Sequence, residues 1–175
     1  MKWQQLVLDQ FLRIEQETGS VLDGLSVEDL NRKPSPDCNS IGWCVWHLTR
    51  SHDRNMSELI GKEQLWTSDK WYARFNRAPD PGETGVGHTP EQAAAFVCPS
   101  TQLIREYHHA IQERIKSYIE NDLNEKELDR QTHSPTLNNE APAMRRLTGV
   151  IQQGFLHVGQ AGYVRGMLKG RGWYH

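Results

Sequence analysis

In four stretches of this 175-residue sequence the apolar residues recur at three- and four-residue steps, and they rarely alternate. That periodicity lines one face of an α-helix and leaves little room for a sheet. In the first stretch Trp3, Leu6, Val7, Phe11 and Ile14 form one stripe, which predicts a helix from about Trp3 to Thr18, ended by Gly19. The second opens at Ser40 and runs to about Ile60, with Gly61 just past its end; its stripe includes Trp43, His47, Met56 and Ile60. The third is capped by Ser100 and runs to about Asn121, with Leu103, Tyr107, Ile111, Ile115 and then Tyr118 or Ile119 inward. The fourth starts near Pro142 and ends before Gly170. Four long helices predict an all-α fold, a four-helix bundle.

The connections carry their own punctuation. A short helical turn is expected at SVEDLNRK, capped by Ser26, with Asp29 at its third position and Pro34 as its stop. Thr89-Pro90-Glu91-Gln92 reads as a helix start, with a cap residue, proline at the first helical position and glutamine three after the cap. Pro99 breaks that helix. Residues 61–87 read as one long ordered, aromatic-rich loop between the second and third long helices, with Trp66, Trp71, Tyr72 and Phe75 before the turn-rich APDPGETGVG. Loops of that length are uncommon in compact domains and are often functional. The segment from Asp122 to Pro142 reads as connection, with one short helical turn at EKELDR.

No repeat or low-complexity tract divides the chain, so one domain over residues 1–175 is expected. Charged residues make up 24% against 37% hydrophobic, which suits helices with broad polar faces. A net charge of −2 gives no general pull toward nucleic acid or an acidic membrane. Cys38, Cys44 and Cys98 are far apart and form no CxxC, so a thiolate zinc cage and a redox dithiol are both disfavoured. Polar residues interrupt the apolar start, no stretch is long enough to span a bilayer, and a reducing, cytoplasmic setting is expected.

Helical geometry sorts the candidate site residues. Trp43 and His47 lie about 40° apart, and Arg54 returns to within about 20° of His47, whereas His52 points about 140° away. Trp43, His47 and Arg54 thus share a column that excludes His52. On the fourth helix Val150, Gln153, His157, Ala161, Val164 and Leu168 share a stripe, with Gln160 beside it. Gly159 is expected to let another backbone approach. One inward histidine on each of two helices admits two readings. His47 and His157 are metal ligands on facing helices, with the Gln153 amide oxygen as a weaker third donor. Or they are core histidines satisfied by hydrogen bonds, with Gln153 and Gln160 as partners. His88 is the loop residue best placed to add a ligand. His108 and His109 both read as surface, and Cys44 reads as a core cysteine.

The loop KWYARFNR interleaves Lys70, Arg74 and Arg77 with aromatics, a pattern that can stack bases. It is short and stands alone in a net acidic chain, so no nucleic-acid partner is expected. Its aromatics are expected to fasten the loop to the helices, Trp71 walling a pocket. Phosphate loops, the GxSxG elbow and HExxH are absent.

NSIGWCVWHLTRSHDR, WTSDKWYARFN, GVGHTPEQAAAF and the late HVGQAGYVRGML together resemble the DinB-like superfamily, especially its branch related to mycothiol-dependent maleylpyruvate isomerase. The resemblance covers about Leu25 to Gly170. It implies an up-down-down-up four-helix bundle, homodimers, and a divalent metal, Zn or Ni, held by one histidine of the second helix and two of the fourth. It also implies thiol transferase, isomerase or hydrolase chemistry with a low-molecular-weight thiol. His47 matches the first ligand and His157 the second histidine of the family's H-x-x-x-H-x-G-Q. The first histidine of that motif falls at Gln153 here, and an amide oxygen holds Zn or Ni less well than imidazole does.

Two functions follow. One is a metal-dependent enzyme acting on a small molecule, its metal at His47, His157 and Gln153, its pocket formed by Trp43, Arg54, Trp71 and Gln160. The other is a non-catalytic binding or interaction bundle that has lost the full metal site.

Overall fold

The computed structural model describes residues 2–170, so Met1 and residues 171–175, His175 among them, lie outside the described residues. In chain order the elements are α1 (Trp3–Leu22), α2 (Val27–Asn31), α3 (Ile41–Ile60), α4 (Leu65–Ser68), α5 (Trp71–Arg74), α6 (Pro90–Ala94), α7 (Thr101–Asn121), α8 (Glu125–Asp129), β1 (Gln131–Ser134), β2 (Asn139–Pro142) and α9 (Ala143–Lys169). The fold is helical apart from one antiparallel hairpin. No helix among the described residues is long and apolar enough to cross a membrane.

The caps form as the sequence dictates. Ser26 and Asp29 make a reciprocal capping box, as do Thr89 and Gln92, and Ser40 and Ser100 accept from the backbone N–H groups of Trp43 and Leu103. Each satisfies a donor that the first helical turn leaves without a partner. The four long helices share one core: α3 packs on α7 and α9, and α1 packs on the same two. Ile14, Leu22, Trp46, Leu48, Met56, Tyr107, Ile111 and Ile115 are almost wholly buried.

Three local expectations need correction. Helix α1 does not stop at Gly19 but continues to Leu22. Val21 and Leu22 are buried there, and the Gly19 carbonyl accepts from Arg105 Nη2 at 2.8 Å, so tertiary packing overrides glycine's weak helix propensity. Residues 131–142 are not plain connection: Gln131 pairs with Pro142, Thr132 with Ala141, His133 with Glu140 and Ser134 with Asn139. The inward side chains of β1 are Thr132 and Ser134, which are polar, so no hydrophobic alternation marked the strand. Ser134 Oγ donates to Glu58 on α3 and Arg146 on α9 grips the Thr132 and Asn139 carbonyls, which ties the hairpin to both helices. The close approach on α9 is at Gly154, not Gly159. A Cβ at Gly154 would stand 2.6 Å from Ile14 Cδ1 and 2.9 Å from His52 Nε2, while Gly159 faces open space.

Helix α3 is the most enclosed element. Only Asn55, Glu58 and Ile60 escape full burial, although the helix carries two histidines, two arginines and an aspartate inside. The loop from Gly61 to Gly87 covers the side that α7 and α9 leave open. It holds α4 and α5, and it is fastened by a buried polar centre. Arg50 donates from Nε to the Glu83 carbonyl (3.0 Å) and from Nη2 to the Pro81 carbonyl (3.0 Å) and Gln64 Oε1 (2.9 Å). Its Nη1 serves Asp53 (3.3 Å) and Tyr107 (3.1 Å). Asp53 in turn accepts from the backbone N–H groups of Leu65 (2.9 Å) and Trp66 (2.8 Å) and from the Tyr107 hydroxyl (2.7 Å). Buried charges persist when their hydrogen-bonding capacity is filled in this way.

Candidate functional site

His47 of α3 and His157 of α9 meet across the interface between these helices. Their ring centroids are 4.5 Å apart, edge to face. The Thr84 carbonyl accepts from His47 Nδ1 at 2.5 Å, and Gln160 Oε1 accepts from His157 Nδ1 at 2.7 Å. An oxygen acceptor at each Nδ1 places the ring proton there and leaves each Nε2 with its lone pair. Burial pushes the His47 pKa down to about 4, against the Thr84 hydrogen bond, and burial lowers His157 as well. Both rings are therefore neutral at pH 7, the form that binds a metal.

Thr84 was not legible as a site residue, and its placement depends on two neighbours. Arg50 holds the preceding carbonyls of Pro81 and Glu83. Gly85 follows with φ +86°, and a Cβ there would stand 2.9 Å from Trp43 Cζ2 and 3.1 Å from His47 Nδ1. Only glycine combines that left-handed backbone with so close an approach. Gly85→Ala is expected to lose about 1–3 kcal/mol, the usual penalty for overpacking, and to loosen the Thr84 contact. An unchanged urea midpoint would contradict this.

Trp43 stacks on His47 with centroids 4.9 Å apart and backs the imidazole. Its indole Nε1 donates to His88 Nδ1 at 3.3 Å. His88 then carries its proton on Nε2, so its lone pair is spent on Trp43 rather than directed at the histidine pair. Gln153, one turn before His157 on α9, has a buried Oε1 with no hydrogen-bond partner. Unpaired buried acceptors are rare in native proteins and call for a physical explanation.

His47, Gln153 and His157, but not Trp43 or Gln160, line a cleft of about 370 Å³ together with Arg54, Arg145, Arg146, Asn55, Gly149 and Val150, and with Val86 and Leu137 exposed among its lining. Arg54 is 5% exposed and donates to Thr84 Oγ1 at 3.4 Å, but its Nε has no partner. Trp71 is not part of this lining. It packs on Tyr107 with centroids 5.1 Å apart and carries the Arg74 guanidinium over its face. The aromatics of the loop are thus spent on α7, and Val86 and Leu137 take the place assigned to Trp71. Arg74 and Arg77 pair with Glu106 and Glu83, which neutralises two of the three basic charges in KWYARFNR.

His108 also needs correction. It is buried at 2% exposure, with Nδ1 toward Thr49 Oγ1 (3.1 Å) and Nε2 toward the Gln112 amide (3.2 Å). His109 is exposed, as expected, beside Glu15. His52 is buried too and reaches the Val150 carbonyl at 3.2 Å, away from the His47 column as its angle predicts. Burial drives the Cys44 thiol up to about 12, which leaves it a core residue and not a nucleophile.

Among the described residues no group of three or more His, Cys, Asp or Glu side chains is placed to hold a metal ion. The donors present are two imidazole nitrogens and the unpaired amide oxygen of Gln153. That set fits a divalent ion through three neutral donors, the third weaker than imidazole. Thr84 and Gln160 supply the outer hydrogen bonds that orient metal-bound histidines elsewhere.

A sequence model of the DinB superfamily matches residues 10–160. No curated protein matches the chain. Among solved structures, the conserved protein of locus from Enterococcus faecalis aligns with a TM-score of 0.86 at 30% identity, covering 98% of this chain and 99% of that one. The family match spans α3, α7 and most of α9, and with them both histidines. The chain belongs to the DinB superfamily.

Proposed function

We propose that this protein is a divalent-metal-dependent enzyme of the thiol transferase, isomerase or hydrolase type, with Zn or Ni held by His47 Nε2, His157 Nε2 and Gln153 Oε1. The unpaired, buried Gln153 Oε1 beside two imidazoles with free Nε2 lone pairs carries this reading. When bound, such an ion supplies a lowered pKa to a coordinated water or thiol. The chain's own residues do the rest. Thr84 and Gln160 fix the tautomers, Trp43 holds the His47 ring in place, and Val86 and Leu137 offer apolar contact to a small-molecule substrate. The pairing of α1 and α3 with α7 and α9 supports an up-down-down-up bundle. Exposed Leu156, Tyr163 and Met167 on α9 support association as a homodimer. A cytoplasmic setting suits its three free cysteines.

A second reading, a small-molecule-binding or interaction bundle without metal, is favoured by the missing third histidine. Elemental analysis and melting curves with Zn or Ni separate the two. On the first reading about one metal binds per chain, and metal at ~100 times its Kd adds about 2.7 kcal/mol. For a chain of this size that raises Tm by roughly 5–10 °C. His47→Ala abolishes the shift and Gln153→His enlarges it. Because burial lowers the pKa of both imidazoles, uptake should persist below the pH at which a free histidine side chain protonates. No metal and no shift in either the native protein or Gln153→His would overturn the metal reading.

A further inference from the structure

The cleft beside the histidine pair has an unbalanced charge. Its lining contains Arg54, Arg145 and Arg146, and among the described residues it contains no aspartate or glutamate, although the chain as a whole is net acidic. The three guanidiniums are not equivalent. Arg146 is engaged by Thr132 and by the Asn139 carbonyl and side chain. Arg145 is exposed on the cleft wall, and no carboxylate of the described residues is in ion-pair range of it. Arg54 is 95% buried by exposure, also without a carboxylate in ion-pair range, and its Nε is unpartnered.

A buried guanidinium normally has a carboxylate or a full set of carbonyls around it, as Arg50 does four residues away. Arg54 has one long contact to Thr84 Oγ1, and Glu58, one turn on along α3, acts on it only from beyond ion-pair range while its carboxylate accepts from Ser134 and Thr136. The Arg54 side chain lines a cleft large enough for a small organic molecule.

We propose that this cleft binds a carboxylate-bearing small molecule, its carboxylate on the Arg54 guanidinium with Arg145 as the outer guide, and the rest of the molecule facing His47 and His157. The planar fork of a guanidinium matches a carboxylate through two parallel hydrogen bonds. One buried positive charge suits a monoanionic planar group better than a phosphate dianion, which would need further buried donors. This names the substrate class for the function proposed above, and it rests on that reading only for which end of the ligand faces the histidines.

The test uses metal-free protein, so that anion binding and metal binding are read separately. Succinate and inorganic phosphate are titrated calorimetrically into the native protein, Arg54→Gln, Arg54→Lys and Arg145→Gln, each checked for native circular dichroism. Succinate is expected to bind, with affinity falling at least tenfold in Arg54→Gln, recovering partly in Arg54→Lys, and falling several-fold in Arg145→Gln, which is exposed and should fold normally. Weakening of succinate binding by added salt supports the same assignment. Succinate binding unchanged in Arg54→Gln, or absent from the native protein at 50-fold the phosphate concentration that binds, overturns it. So does failure of both anions to bind, whatever the metal experiments show.

Discussion

Asp53→Ala is expected to destabilise the protein by about 3–5 kcal/mol, the range found when one partner of a buried ion pair is removed. The size follows from what the carboxylate holds. Its two oxygens accept from Arg50, the Tyr107 hydroxyl, the Ser57 hydroxyl and two consecutive backbone N–H groups at the start of α4. Alanine would leave the Arg50 guanidinium buried at 0% side-chain exposure without its counter-charge, and would leave the Leu65 and Trp66 amides without acceptors. Each lost acceptor adds its own desolvation penalty. Asp53→Asn should also be poor, because the amide puts an NH2 group in place of one oxygen, facing neighbours that are themselves donors. Urea midpoints for Arg50→Met, Asp53→Leu and the double variant complete the argument. The double variant should be markedly less unstable than the sum of the two single losses. A loss below about 1 kcal/mol in Asp53→Ala would mean that the centre is not desolvated as the structure has it.

The same centre explains why the site was only half legible in the sequence. His47 and His157 could be found because helical periodicity places side chains by arithmetic, and the 100° step put both on inward stripes. Gln153, one turn from His157, could be found for the same reason. Thr84, which sets the His47 tautomer, could not. It lies in a loop, and its position depends on Arg50, 34 residues earlier, reaching the Pro81 and Glu83 carbonyls. No local pattern encodes that contact. Arg145 gave no signal either, since a charged residue on a long helix reads as solvated surface until a hairpin is placed beside it. The hairpin itself was hidden because its inward residues, Thr132 and Ser134, are polar. His108 was misplaced for a related reason. It neighbours Tyr107 on α7 and falls off the apolar line, but α3 is enclosed on so many sides that a second row of α7 is buried with it.

That second row leads to the other large effect. Lowering the pH from 7 toward 4.5 is expected to remove about 5 kcal/mol of stability, near the lower end of what a domain of this kind possesses. His52 and His108 are almost wholly buried, and burial pushes their pKa values from 6.5 to about 4 and about 3. Their rings are 6.3 Å apart, so protonating one opposes protonating the other. At His52 burial outweighs the Val150 hydrogen bond, which favours the charged ring, whereas at His108 the hydrogen bonds favour the neutral ring as well. His108 Nδ1 donates toward Thr49 Oγ1, whose own hydroxyl is committed to the Val45 carbonyl, and Nε2 accepts from the Gln112 amide. A second proton on Nε2 would face an N–H group. Because both folded values are depressed, the unfolded chain binds the extra protons first. The folded state is unaffected above about pH 7, and it loses stability as the pH falls through 6.5 toward 4. Each group contributes roughly 1.4 kcal/mol per pH unit in that window, about 2.7 for the two together. Urea midpoints measured from pH 7.5 to 4.5 should therefore show an uptake of at least two protons on unfolding. His52→Leu should reduce the uptake by about one, whatever its effect on stability at pH 7.5. Stability that stays level between pH 7 and 5 would mean that these two histidines are not held neutral in the core.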